Sequence, residues 1–203
     1  MESVWWVFKT LYDKGLIYEG YNVLPYSPKL ASPLSNMEVS LGGYKDVVDQ
    51  AVTVRFKVDG TENSYFLAWT TTPWTLPSNL ALAVGPEIDY VEVEDEADGA
   101  HYYLAKNLLG KYWKDGKGCK ILREVKGNDL VGMTYEPLFP YFASLKEKGA
   151  FQVVTADYVT VEDGCGIVHT ASGFGEDDYN TMKTKVPQCP VVCPVDEECR
   201  FTS

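Results

Sequence analysis

The sequence predicts a mixed α/β (α+β) fold: a barrel-like sheet, closed or strongly curved, with peripheral helices. Many strand-length segments of alternating or wholly apolar residues, few segments with a helical period, and turn residues between them carry that prediction. Short strands with few helices to cover them bury their apolar faces best when the sheet curves on itself. A chain of 203 residues supports one substantial core, or one domain with a small appendage. Hydrophobic content of 45% and charged content of 23% are those of an ordinary globular protein.

The first element is a helix over residues 3–14. Val4, Trp5, Phe8, Leu11 and Tyr12 recur at three- and four-residue spacing, Ser3 offers an N-cap and Gly15 a stop. Two tryptophans this close together near a helix start need cover. Residues 21–24 read as a short strand, and Pro25, Pro28 and Pro33 with Ser27, Ser32 and Ser35 form an irregular connection. From residue 51 strand signals dominate. Residues 52–58 alternate, 64–69 are nearly all apolar, 80–84 follow a proline-bearing turn, and 90–93 alternate with acidic partners. An acidic turn at 95–99 leads into 102–109, which starts as a strand and finishes as a helical turn. Strands at 119–125, 151–154, 158–161 and 166–169 complete the set. Residues 138–148 and 176–185 read as helices, the second opened by Glu176, Asp177 and Asp178, which complement the helix dipole.

Composition removes several function classes. No run approaches the ~18 apolar residues that span a membrane, and no basic-apolar secretory leader opens the sequence, so a cytoplasmic protein is expected. Cys119, Cys165, Cys189, Cys193 and Cys199 are an odd number without a framework spacing, which favours reduced thiols. Three residues separate Cys189 from Cys193 where zinc sites prefer two, and no His-x-Glu accompanies them; neither a metal nor another cofactor is expected. Gly164-Cys165-Gly166 lacks the rest of a dinucleotide fingerprint, and neither a Walker sequence nor a Gly-x-Ser-x-Gly elbow occurs. The net charge of −11 has the wrong sign for gripping a nucleic-acid backbone by counterion release. A contact with RNA is therefore expected only at a terminus, with the duplex held elsewhere.

Against that background two segments stand out. Trp69-Thr70-Thr71-Thr72-Pro73-Trp74-Thr75-Leu76-Pro77-Ser78-Asn79 follows the apolar strand 65–69, and Pro73 and Pro77 each lack the N–H that a central strand requires. The chain must leave the sheet at the threonines, presenting hydroxyls and backbone N–H groups at a strand end. A serine/threonine turn would explain that alone. The second segment is Gly164-Cys165-Gly166-Ile167-Val168-His169-Thr170-Ala171-Ser172-Gly173-Phe174-Gly175-Glu176-Asp177-Asp178-Tyr179.

Together the two segments resemble the paired signatures of the editing domain of isoleucyl-tRNA synthetase, an insertion in a class I catalytic core. Glu2-Ser3-Val4-Trp5-Trp6, Tyr44-Lys45-Asp46-Val47 and Cys193-Pro194-Val195-Asp196 resemble the same family in the same order, so only a middle around residues 95–130 stands outside the likeness. The related valyl and leucyl enzymes carry an arginine after two threonines. Thr72 stands in that place and Trp74 follows the proline, which favours the isoleucyl branch. The resemblance implies a junction with the catalytic core over 1–45, an editing domain over 46–190, and a return segment over 191–203. It also implies a partner, the 3′-terminal adenosine of tRNA(Ile) carrying valine, with the remainder of the synthetase chain supplying most tRNA contacts and the ATP site.

What the resemblance assigns to single residues is compatible with their chemistry. Asp178 would grip the α-ammonium of the misattached amino acid; its place in a first helical turn predicts an ionised carboxylate. His169 would line the pocket that admits valine and excludes isoleucine, and an unperturbed histidine pKa leaves orienting work or proton transfer open. Thr70, Thr71 and Thr72 would bind ribose, ester carbonyl and an attacking water; a covalent threonine would need a base that is not evident. Trp74 is expected as a pocket wall, with plain core as the alternative, and Asn79 to fix the loop or the adenosine. Such a site answers a limit on binding: one methylene discriminates by only ~1–3 kcal/mol, isoleucine against valine being the standard case from which that figure comes. Hydrolysis of Val-tRNA(Ile) is the activity implied, with valyl-adenylate left open as a second substrate; a non-catalytic insertion that binds the tRNA end or a partner protein is the alternative. Ser172-Gly173 stands where the family has Pro-Ala or a similar pair, which predicts a looser loop before Asp178, and Cys165 replaces a common threonine.

Overall fold

A computed structural model describes residues 1–202. Helix α1 (Glu2–Asp13) starts one residue before the expected place, with Met1 as N-cap and no capping by Ser3. Acidic Glu2 in the first turn and left-handed Gly15 (φ +68°) after the last account for its ends. No residue of α1 is buried, and Trp5 and Trp6 are 68% and 69% exposed. The strand expected at 21–24 does not form. Pairing occurs instead between β1 (Tyr26–Ser27) and β2 (Ser32–Pro33), closed by Leu34 N–H on Pro25 O at 2.8 Å. Helix α2 (Asn36–Ser40) follows, opened by a Ser35/Glu38 capping box inside the segment expected to be irregular.

The main body opens with β3 (Val52–Lys57) and β4 (Ser64–Thr70), then a 3-10 helix, Pro73–Ser78. Next come β5 (Ala81–Val84), β6 (Asp89–Asp95), β7 (His101–Ala105), α3 (Leu109–Tyr112), β8 (Cys119–Lys126) and α4 (Gly127–Leu130). Of residues 138–148, expected as a helix, Pro140–Lys148 form a 3-10 helix kinked at Phe142 (φ −120°). Strands β9 (Gln152–Thr155) and β10 (Ile167–Thr170) and helix α5 (Glu176–Lys185) finish the body. Residues 158–161, expected as a strand, are a turn and loop after β9.

The mixed α/β class holds, but none of the sheets among the described residues closes into a barrel. Five strands pair in the order β3-β4-β7-β6-β8, with β4 and β7 parallel, and three in the order β10-β5-β9, with β5 and β9 parallel. What joins the two is a seam of single bridges. Val58 pairs with Tyr135 and Thr134 with Gln152, so residues 134–135 stitch the end of β3 to β9 without a continuous ladder. Barrel closure needs matched strand register all round; isolated bridges do not supply it. Between the sheets lies the core of Phe56, Phe66, Leu80, Leu82, Val84, Tyr135, Val153 and Ile167, and every residue of β5 is buried. No helix is long and apolar enough to cross a membrane among the described residues.

Candidate functional site

β4 leaves the sheet at Thr70, where the proline argument puts the exit. Thr72 N–H donates to Thr70 Oγ1 at 3.0 Å, an ST turn that frees the chain from the ladder. Pro73 then occupies the first helical position, where its missing N–H costs nothing. A 3-10 helix superposes residues three apart, so Thr72, Thr75 and Ser78 share one face, and Thr75 and Ser78 are buried. Trp74 belongs to another face, is half exposed, and lines none of the cavities described below; it is neither pocket wall nor core. The hydroxyls form a cluster, with Thr70 Oγ1 3.2 Å and Thr75 Oγ1 3.4 Å from Thr72 Oγ1.

β10 delivers His169 to the same place, pairing with Leu82 on β5. Its Nε2 lies 2.7 Å from Thr75 Oγ1 and its Nδ1 3.2 Å from Asn79 Nδ2. Burial drives its pKa down from 6.5 to about 4, so the ring is neutral at physiological pH. Asn79 is itself buried: Nδ2 donates to Ala81 O at 2.9 Å and Oδ1 accepts from Tyr135 at 2.6 Å. Of the two tasks expected for Asn79, the geometry matches holding the loop and His169, not facing a ligand.

Asp178 enters from the first turn of α5. Its Oδ1 accepts from Ala171 N–H at 3.4 Å. The expected effect of the helix terminus is outweighed: burial raises the carboxyl pKa from 3.8 to about 6, Ala171 N–H opposes the rise and Asp177 adds to it. Among the described residues no cation pairs with Asp178, and at pH 7 the carboxyl is mostly ionised. Gly175 makes room for the carboxylate, since a Cβ there would stand 2.0 Å from Asp178 Oδ2. The loop before it is not loose. Ser172 is buried with its Oγ accepting from Val192 N–H at 3.3 Å, and a Cβ on Gly173 would meet Val192 O at 2.3 Å. Gly173 is a close-approach residue that lets the 191–193 segment pack down, so the expected mobility gives way to packing.

These groups converge on one pocket of about 320 Å³. Thr70, Thr71, Thr72, His169 and Asp178 all line it. Asp177 stands at the edge, exposed. The structure adds Trp69, Thr75, Tyr158 and Phe174 to the lining. Thr75 was legible in the three-residue step from Thr72 once a 3-10 helix is assumed. Tyr158 was not: it read as a strand residue. Its hydroxyl is buried without a hydrogen-bond partner among the described residues, and burial and the nearby Asp178 raise its pKa. A larger cavity of about 840 Å³, lined by Pro77, Tyr141, Phe142, Val192, Cys193 and Phe201, is mainly apolar, and neither a carboxylate nor a histidine lines it. Among the described residues no group of three or more His, Cys, Asp or Glu is placed to hold a metal ion.

The family profile of class I tRNA synthetases (I, L, M and V) matches residues 1–185. The isoleucine–tRNA ligase of Treponema denticola is 50% identical over 234 residues, which cover all of this chain and 21% of that protein. That of Bdellovibrio bacteriovorus is 50% identical over 203 residues, all of this chain and 19% of that protein. The chain thus spans about a fifth of the length of the curated relatives it matches. Among solved structures, the crystal structure of GlLeuRS-CP1 aligns with a TM-score of 0.54 at 15% identity, covering 72% of this chain and 70% of that one. The P. knowlesi cytosolic leucyl-tRNA synthetase editing domain aligns with a TM-score of 0.54 at 14% identity, covering 70% and 66%. At that identity the likeness speaks for the fold alone.

Proposed function

The chain belongs to the class I tRNA synthetases (I, L, M and V), and from that premise we propose that it is the editing domain of an isoleucyl-type enzyme, hydrolysing the ester of Val-tRNA(Ile). The observation that carries the reading is that a buried carboxylate, Asp178, with no ion-pair partner among the described residues, lines the same pocket of about 320 Å³ as Thr70, Thr71 and Thr72. An aminoacyl ester bears a cation at one end and a carbonyl flanked by ribose at the other. Asp178 takes the ammonium, by a charge-assisted hydrogen bond in a site where burial strengthens it. Thr70, Thr71 and Thr72 take the ester end and hold a water for attack, so that positioning and preorganised donors lower the barrier.

His169 does not act as the base in this scheme. Both its nitrogens are occupied by Thr75 and Asn79, and a pKa of about 4 makes it a poor proton acceptor. For the same reason no threonine becomes acylated, since none has a base to activate it. His169 instead supplies a fixed, neutral wall that limits the side chain admitted. Residues 1–45 and 191–203 serve as the stems to the rest of the synthetase, which supplies the tRNA contacts that a chain of net charge −11 lacks.

Incubating Val-tRNA(Ile) and Ile-tRNA(Ile) with the full synthetase and its Asp178→Ala variant tests the reading. The variant is expected to keep aminoacylation and to lose valyl clearance, with Ile-tRNA(Ile) spared by both enzymes. Undiminished clearance of the valyl ester would remove Asp178 from the site.

A further inference from the structure

We infer that Tyr135 is a positioning residue for His169, acting through the Asn79 amide to fix which ring nitrogen carries the proton. Its role in hydrolysis rests on the editing reading above; its effect on the ring does not. Tyr135 lies on the seam between the two sheets, is wholly buried, and packs edge-on against Phe56 and Phe151 at ring-centroid distances of 5.3 and 6.0 Å. The aromatic contacts fix where its hydroxyl points. That hydroxyl donates to Asn79 Oδ1 at 2.6 Å, and burial keeps the phenol protonated.

The rest follows from donor and acceptor counting. With Oδ1 committed to Tyr135, Asn79 Nδ2 faces Ala81 O at 2.9 Å and His169 Nδ1 at 3.2 Å. An amide nitrogen only donates, so Nδ1 must be the bare nitrogen and Nε2 must carry the hydrogen. Nε2–H then donates to Thr75 Oγ1 at 2.7 Å, and the Thr75 hydroxyl donates onward to Thr72 O at 2.8 Å. Each donor meets an acceptor from the seam to the threonine wall. The opposite tautomer would set Nδ1–H against the Asn79 NH₂ group, and a flipped amide would set Oδ1 against Ala81 O. Ala81 O and the Tyr135 hydroxyl are thus the two locks on the amide, and Tyr135 is the one a side-chain substitution can remove.

The chain has two histidines, so ¹⁵N-histidine labelling of the 203-residue protein reports His169 with His101 as internal reference. In the wild type His169 is expected to show a bare Nδ1 and a protonated Nε2 from pH 5 to 8. Tyr135→Phe keeps the ring packing. It is expected to leave the His101 signals in place while shifting the His169 tautomer ratio by about fivefold, the weight of one neutral hydrogen bond. In the full synthetase the same variant should loosen the hold of His169 on Thr75, and through Thr75 on Thr72, and so lower kcat for Val-tRNA(Ile) deacylation by about fivefold, the weight of one neutral hydrogen bond, at unchanged KM. An unaltered His169 tautomer in folded Tyr135→Phe overturns the inference. So does a wild-type ring protonated at Nδ1, a result that requires no variant to fold. A shifted tautomer with undiminished kcat overturns the part Tyr135 plays in hydrolysis. Absence of deacylation by the wild-type synthetase would strike the proposed function instead and leave the tautomer result standing.

Discussion

Replacing Asp178 by asparagine is expected to stabilise the empty protein at neutral pH. Burial lifts the Asp178 carboxyl from 3.8 to about 6. An acid whose pKa is higher folded than unfolded keeps its proton better in the native state. The fold is therefore penalised progressively as pH rises from 3.8 to 6, and the whole penalty is present above 6. A shift of about two units corresponds to ~3 kcal/mol. Asparagine retains the shape and an oxygen to accept from Ala171 N–H, but it never ionises. Asp178→Asn should accordingly raise the unfolding free energy by ~2–3 kcal/mol at pH 8, and the gain should shrink to about zero near pH 3.5. Urea unfolding followed by tryptophan fluorescence at pH 8, 5 and 3.5 measures it, as a shift in midpoint at constant slope. His169 contributes an opposite trend: folded near 4 against 6.5 unfolded, it loses stability as pH falls from 6.5 to 4. Both proteins share that trend, so it cancels in the difference. A gain of equal size at every pH, or a loss at pH 8, would refute the electrostatic account of Asp178.

The same carboxyl sets the pH dependence of the proposed reaction. Deacylation should rise with pH through about 6 as Asp178 ionises, and nothing from His169 should appear above pH 5, because its pKa is about 4; an inflection near 7 abolished by His169→Gln would contradict this. Gly175 has an ordinary extended backbone (φ −148°), so Gly175→Ala should fold well. Its new Cβ would displace the Asp178 carboxylate and lower deacylation by about a hundredfold, read by kcat/KM beside an unchanged thermal midpoint. Gly173→Ala meets backbone at Val192 O and should destabilise by ~1–3 kcal/mol; a thermal midpoint equal to that of wild type would show that the 191–193 segment yields.

Local pattern carried a good part of the fold. Helix α5 begins and ends where its acidic start and polar period put it, and β4 ends at the threonines because a strand cannot pass two prolines. Capping chemistry was present but hidden: Ser35-x-x-Glu38 sat inside a proline-rich stretch that read as irregular. At residues 158–161 an apolar-polar alternation suggested a strand, yet the segment is a turn and loop after β9 and Tyr158 lines the pocket. Trp74 read as a wall because the 3-10 period that turns it outward is invisible in a sequence expected to form only a turn.

The sequence by itself determined the class of the fold, which follows from residue type and short-range periodicity, and the family, through the likeness of its motifs to known signatures; it also offered the carboxylate, imidazole and hydroxyl groups proposed for the site. Only the tertiary structure decided how those groups behave. His169 became a neutral, doubly held ring and Tyr135 the partner of the Asn79 amide, through contacts that join residues 94, 90 and 56 positions apart, and burial raised the pKa of Asp178. Burial and hydrogen-bond partners set a group's ionisation and its orientation. Both are properties of what packs around it, and a linear chain does not contain them.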